Sequence, residues 1–352
     1  MKNMRIGVVT VAAALLTSSA GVLGVGAQAR AASQSYDCSS EVSPYSLSPQ
    51  QVSSCGFGSF PLRSTTTNSN GSTWYQYDVG SSRMTYLVPP SSFDAATATS
   101  AELAEYGIPL RPPASDPTML NFWVSMVNNL KLETPPTTLI SIPATAGSVT
   151  NSHWAGYADS FDSGTLYSSA EGLYVEPSLT GTQCSSSSVV FWTGLGGYPS
   201  GTLAQDGTAL NAPGLANNQA WSEFLPAQPG AIPQNLYATP GQDFYAQVTY
   251  VNADTVNMYM YNSYTGLGLS YNVTGDDVDE QSAEYIAERP ALSGVLRSLS
   301  DFGTAQWLST DTNGVASSGW PHDAITMQTS HVLASPSANS AGSFNVAYKA
   351  CS

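Results

Sequence analysis

The sequence predicts an all-β fold for residues 151–352, a two-sheet antiparallel sandwich preceded by a small mixed region. Three observations predict it. Short alternating stretches recur between Gly, Asn and Pro turns. No convincing long helical pattern interrupts them. Tyr, a residue that suits strands, occurs 19 times.

Within that region Phe244 to Val251 alternates, and so does Thr255 to Tyr261, where Val256, Met258 and Met260 share a face. Asn252-Ala253-Asp254 reads as the hairpin turn between them, and Asn262 to Gly266 as the next turn. Before residue 151 the pattern is mixed. Residues 32–100 are rich in Ser and Thr, with one strand-like stretch from Trp74 to Val88. Ser100 to Glu105 predicts a short helix capped by Ser100, ended by Tyr106-Gly107-Ile108-Pro109. Pro117 to Leu132 predicts a second helix with Leu120, Trp123, Val124 and Val127 on one face. Thr134-Pro135-Pro136 stops it, and Pro143 to Val149 reads as a linker.

The N-terminus reads as an export signal over residues 1–31. Lys2 and Arg5 precede an apolar run from Ile6 to Leu16, and small-residue cleavage sites follow at Ala27-Gln28-Ala29 and Ala29-Arg30-Ala31. No later segment is apolar and long enough to span a bilayer, so the expected mature protein is secreted, extracellular and monomeric. In an exported chain, four cysteines point to disulfides. Of the three possible connectivities, the expected one pairs Cys38 with Cys55 and Cys184 with Cys351.

Charge narrows the function. Residues 151–352 hold 17 acids against Arg289, Arg297 and Lys349, a balance of −14. A domain this acidic excludes nucleic acid and anionic membrane as partners. With so few bases, self-repulsion stays small once the carboxyls are protonated, as an acid-stable protein requires.

The sequence lacks a Gly-x-Ser-x-Gly elbow, a His-Glu-x-x-His helix, a phosphate-binding loop and a dinucleotide fingerprint. Three scattered histidines argue for no metal site, and no cofactor is expected. A His of ordinary pKa, near ~6.5, is protonated in acid and cannot serve as base there, so a carboxylate must. Asp162-Ser163-Gly164-Thr165 matches one half of a paired-aspartate site without its second copy, and reads as a turn. Asp276 to Glu280 lacks calcium-loop spacing and reads as a solvated acidic loop.

Four segments carry more. They are Ser188 to Gly197 (Ser-Val-Val-Phe-Trp-Thr-Gly-Leu-Gly-Gly), Leu203 to Thr208 (Leu-Ala-Gln-Asp-Gly-Thr), Gln219 to Pro226 (Gln-Ala-Trp-Ser-Glu-Phe-Leu-Pro) and Ser282 to Pro290 (Ser-Ala-Glu-Tyr-Ile-Ala-Glu-Arg-Pro). In order and content they resemble the glutamic peptidases, or eqolisins. That family shows Trp-x-Gly-Ile, Leu-Gln-x-Gly, Ala-Trp-Tyr-Glu-Trp-Tyr-Pro and Ala-Glu-Trp-Ile-Val-Glu in the same sequence. Asn151 to Gly156, Tyr174 to Pro177, Asn262 to Gly266 and Asp301-Phe302-Gly303 are lesser echoes, so the resemblance covers residues 151 to about 310.

The resemblance implies a concanavalin-like sandwich and a secreted, pepstatin-insensitive acid endopeptidase acting on proteins or peptides. Its catalytic Glu falls on Glu288 as general base, and its catalytic Gln on Gln205 as oxyanion donor. Trp192 falls in the substrate cleft, and Glu223 either lines it or satisfies buried donors. Separately, the change in charge and pattern at Pro143 to Thr150 predicts that residues 32–150 are a prosegment or accessory region, cut near the linker before Asn151. Plainer readings exist for each: Gln205 as a turn residue, Glu288 ion-paired with Arg289, Trp192 as a core aromatic, Glu284 as structural. The chain also departs from the family, with Gly196 and Ala209 at positions where members carry acids. A carbohydrate-binding or glycoside-hydrolase sandwich, with Glu223 and Glu288 as the carboxylate pair, is the alternative.

Overall fold

The computed structural model describes Cys38 and residues 42–143, 152–160, 164–198, 201–292 and 295–352. The export signal, the linker from residue 144, Asn151 and the Asp162-Ser163 turn lie outside the described residues. No helix among the described residues is long and apolar enough to cross a membrane.

Two antiparallel sheets form the sandwich, as the alternating pattern predicts. The smaller has eight strands, numbered here in chain order. They are β1 (Trp154–Ser160), β2 (Ser187–Gly196), β3 (Leu203–Leu210), β4 (Gln219–Leu225), β5 (Ile232–Tyr237), β6 (Ser282–Glu288), β7 (Ser298–Leu299) and β8 (His322–Ile325). Across the sheet the order is β5-β4-β3-β2-β6-β1-β8, with β7 beside β2. The larger sheet has 13 strands, and the stretches Asp243–Asn252 and Thr255–Asn262 pair at its centre. Val256, Met258 and Met260 point into the core between the sheets, with Phe191, Tyr285 and Trp307 among their company. Tyr285 ties the layers together: its hydroxyl, on β6, donates to the Asp311 carbonyl at 2.6 Å.

The N-terminal region belongs to the same compact unit, residues 36–352. Trp74 to Val88, read as one strand, is a hairpin of Thr73–Val79 and Ser82–Val88. Gly80, at φ +64°, makes the turn that alternation alone conceals. Its second strand pairs with Leu267–Thr274, so the region continues the larger sheet.

Helix α1 spans Pro49–Ser54 and α2 spans Ser100–Glu105. The cap of α2 is Thr99, not Ser100, because Thr99 and Glu102 satisfy each other in a capping box. Helix α3 runs Pro117–Asn129 and ends before Lys131-Leu132, which join the sheet instead. Its buried face is Met119, Phe122, Met126 and Val127, while Val124 is exposed. Of the expected face, Val127 is buried and Trp123 packs against the same cluster, but Met119 and Phe122 take the places of Leu120 and Val124, with Phe122 against the rings of Tyr245 and Tyr261. Asp116 caps α3 and accepts from Ser309 of the larger sheet at 3.0 Å.

Cys38 is bonded to Cys55, and Cys184 to Cys351.

Candidate active site

The outer face of the smaller sheet carries the four motif segments side by side. Strand register decides which side chains share that face. Gln205 on β3 lies opposite Gly194 of β2 and Glu223 of β4, and Gly194 in turn lies opposite Glu284 of β6. Residues paired in an antiparallel ladder project to the same side, as do positions two apart. Trp192, Ile286 and Trp221 therefore share the face, and so does Glu288, opposite Val190 and Trp154. Their buried company is a second apolar cluster, distinct from the inter-sheet core, that includes Trp154, Trp192, Trp221 and Ile286.

Glycines bring the strands close where the site needs it. A Cβ on Gly207 would lie 1.9 Å from the Phe191 carbonyl oxygen, so no larger residue fits between β3 and β2. A Cβ on Gly194 would press on the Trp192 ring at 3.0 Å, so glycine there lets the indole lie flat toward Gln205.

The expected pair are not hydrogen-bonded to each other; two further side chains connect them. Gln205 Nε2 donates to Glu223 Oε2 at 3.0 Å, and Trp192 Nε1 donates to Glu288 Oε2 at 2.8 Å. Along the backbone Glu288 stands four residues of β6 from the row of Gln205, roughly 13 Å at ~3.3 Å per residue, and its charge still acts on Glu223 in that row. Burial pushes the Glu223 carboxyl up to about 8, and the nearby charge of Glu288 adds to that. Burial also raises Glu288, to about 7, against hydrogen bonds from Trp192 and Trp154 that favour its anion. In this coupled pair, Glu288 gives up its proton first.

Glu284 is different. Its charge neighbours are Asp279 and Asp159, not Glu223 or Glu288, and burial holds it well above the usual range. Arg289 does not pair with Glu288; its Nε donates to the Ser152 carbonyl at 2.7 Å. Gln205 sits inside a strand, not a turn. Trp192 is fully buried, yet its indole N–H is committed to a carboxylate, so it is more than filler.

Five buried polar atoms on this face have no hydrogen-bond partner among the described residues: Gln205 Oε1, Glu223 Oε1, Trp221 Nε1 and both carboxyl oxygens of Glu284. Unpaired buried groups are costly and therefore rare, so several together mark where a polar guest belongs. Trp154 was missed in the sequence as a site residue. It packs edge-on against Trp192, ring centroids 4.9 Å apart, and supports the Glu288 anion. Its signal was the Trp-Ala-Gly stretch at the start of the resemblance. Among the described residues, no group of three or more His, Cys, Asp or Glu side chains is placed to hold a metal ion.

The buried acids set a pH dependence. Asp159, Glu171 and Glu176 are each raised to about 7 and Asp311 to about 8, chiefly by burial, and burial also holds Asp206 and Glu284 well above the usual range. Each folded pKa exceeds its unfolded value, so the stabilisation is full below about pH 4 and lost as pH rises through 7 to 8. The ion pairs of Asp78 with Arg63 and Arg83 lie at the exposed surface and involve none of these groups. The melting midpoint at low salt should therefore be higher at pH 3 than at pH 8, by on the order of 10 °C. Equal midpoints would show that these carboxyls ionise at no cost.

A sequence model of the Peptidase A4 family matches residues 152–348. Among solved structures, scytalido-glutamic peptidase with a transition-state analogue inhibitor is similar at 16% identity and TM-score 0.48, over 56% of this chain and 98% of that one. SCP-B, a member of the eqolisin family in complex with the tripeptide Ala-Ile-His, shows 15% identity, TM-score 0.45 and coverage of 56% and 98%. Aspergilloglutamic peptidase from Aspergillus niger shows 22% identity, TM-score 0.39 and coverage of 46% and 99%. No curated protein matches the chain in sequence.

Proposed function

Because the chain belongs to the Peptidase A4 family, whose sequence model spans more than half of it, we propose that it is a secreted acid endopeptidase with Glu288 as base and Gln205 as oxyanion donor. The supporting observation is the arrangement of Gln205 between Glu223 and the Trp192–Glu288 pair.

Glu288, as the anion, takes a proton from water while the water oxygen bonds to the scissile carbonyl carbon. The carbonyl oxygen becomes an oxyanion and receives the second N–H of Gln205, since the first is held by Glu223. Gln205 Oε1, unpaired in the structure, accepts a hydrogen bond from the other O–H of the attacking water, which stays on that oxygen. Glu288 then returns its proton to the leaving amine, and the C–N bond breaks. Glu223, the acid of the pair with the higher pKa, stays protonated through the cycle and fixes the rotamer of Gln205. Trp192 orients Glu288. No cofactor enters this scheme, and peptide is the only partner it needs.

The raised pKa of Glu288 has a consequence for acid activity. A base is useful only as its anion, and Glu288, half-buried at the end of β6, holds its proton up to about pH 7. Activity in acid requires fuller access of solvent or substrate to this face, which brings the pKa back toward ~4.3. We therefore assign residues 32–150 a prosegment or accessory role, with cleavage between Thr134 and Ser152 preceding full acid activity. The test is the pH dependence of kcat/KM on an internally quenched peptide, measured on intact and acid-incubated protein. The acid limb should lie near 7 for the intact chain and move down by about two units after processing. An unchanged limb, with the N-terminus still near Ala32 in an active enzyme, would refute both the removal and this use of Glu288.

A further inference from the structure

The catalytic row does not stop at Glu223. Ser222 of β4 pairs with Ile232 of β5, so the next antiparallel neighbours are Glu223 and Ala231. Ala231 forms an antiparallel bridge with Ile142, whose N–H donates to the Ala231 carbonyl at 2.8 Å. One row thus runs Ile142, Ala231, Glu223, Gln205, and Ile142 stands two strand spacings, roughly 10 Å, from Glu223. The Ile142 side chain points to the site's face: it is 3% exposed and packs in the cluster of Trp192, Trp221 and Ile286.

A second side chain from the N-terminal region reaches the same place. The Phe57 ring and Ile142 Cδ1 both press on Gly214, where a Cβ would lie 2.7 Å from one and 3.0 Å from the other. Gly214 belongs to the β3–β4 connection, whose Ala212 and Leu215 are buried in the same cluster. The seat offers a main-chain acceptor at the sheet edge and an apolar hollow beside it. That is how an extended peptide is recognised, by backbone pairing for affinity and a side-chain pocket for choice.

We propose that this seat is a substrate subsite for a bulky aliphatic side chain, filled in the intact chain by Ile142. The proposal rests on the peptidase reading above and names part of its substrate class. A charged residue is disfavoured there, because the side chains that meet Ile142 at the seat, Phe57, Ala212, Leu215 and Ala231, are apolar and supply no counter-charge for its burial. A single missing methylene in such a pocket is worth about 10–200-fold in discrimination, so loss of the whole aliphatic side chain costs at least tenfold.

The experiment uses the full-length chain, wild type and Ile142→Gly, with quenched peptides that differ at one position, carrying Ile, Gly or Asp. Ile142→Gly should raise kcat/KM for the Ile peptide at least tenfold over wild type, and prefer Ile to Gly or Asp by at least tenfold. Ile142→Val, which loses one methylene and keeps the fold, should move in the same direction by a smaller factor. A folded Ile142→Gly enzyme that cleaves all three peptides equally would overturn the subsite while leaving the peptidase reading intact. If no variant hydrolyses any peptide, the peptidase reading falls, and binding decides the seat separately. In that arm, fluorescent peptides with the sequence of residues 138–143, carrying Ile or Asp at the fifth position, are titrated into Ile142→Gly. Tenfold tighter binding of the Ile peptide supports the seat, and equal binding overturns it.

Discussion

Glu288→Gln is expected to abolish peptide hydrolysis while leaving the fold in place. The substitution keeps the shape of the side chain and its contact with the Trp192 indole, but an amide cannot accept the proton of the attacking water. Because Glu288 is the one base in the proposed cycle, turnover should fall to the background rate. Glu284→Gln is the internal control, since both residues lie on β6 and project to the same face. Glu284 has Asp279 and Asp159 as charge neighbours and no link to Gln205, so its loss should leave at least a tenth of the activity. The measurement is kcat/KM for both variants, with circular dichroism to verify folding. A dead Glu284→Gln beside an active Glu288→Gln would move the base to the other residue.

Gln205→Ala should slow hydrolysis by about 10²–10³, the usual cost of removing one oxyanion donor. The loss should appear in kcat rather than KM, because the interaction strengthens as charge develops on the carbonyl oxygen. Gln205 also places Glu223, so its removal leaves a buried carboxyl without its only hydrogen bond among the described residues. A modest fall in stability should accompany the kinetic effect. An unchanged kcat in a folded Gln205→Ala enzyme would show that the oxyanion is held elsewhere.

Much of the fold was legible because its signal is periodic. Val256, Met258 and Met260 alternate in sequence and do face the core. What misled were places where chemistry beats periodicity. Thr99 caps α2 because Glu102 stands three residues on, and the buried face of α3 follows the aromatic surface of the sheet rather than the nearest apolar residues. Gly80 hid a hairpin inside an apparently continuous strand.

The site was legible in part. The motif segments do lie together on one face, but the sequence gives neither register nor side-chain direction. It could not show that Glu223 holds Gln205, that Trp192 bonds Glu288, or that Trp154 backs both indole and carboxylate. Nor could it show Ile142 seated at the end of the catalytic row, since that contact joins residues far apart in the chain. Gly196 and Ala209 sit on β2 and β3, Ala209 opposite Gln219 and Val190, so the face lacks carboxyls where the resemblance would put them.

The central claim is that this chain cuts peptide bonds with Glu288. Acid-incubated protein is mixed with a denatured protein substrate near pH 3 in the presence of pepstatin, and the fragments are sequenced. The account predicts internal cleavage by wild type and by Glu284→Gln, unaffected by pepstatin, and none by Glu288→Gln. Cleavage that pepstatin blocks, or fragments that persist undiminished with folded Glu288→Gln, would contradict it.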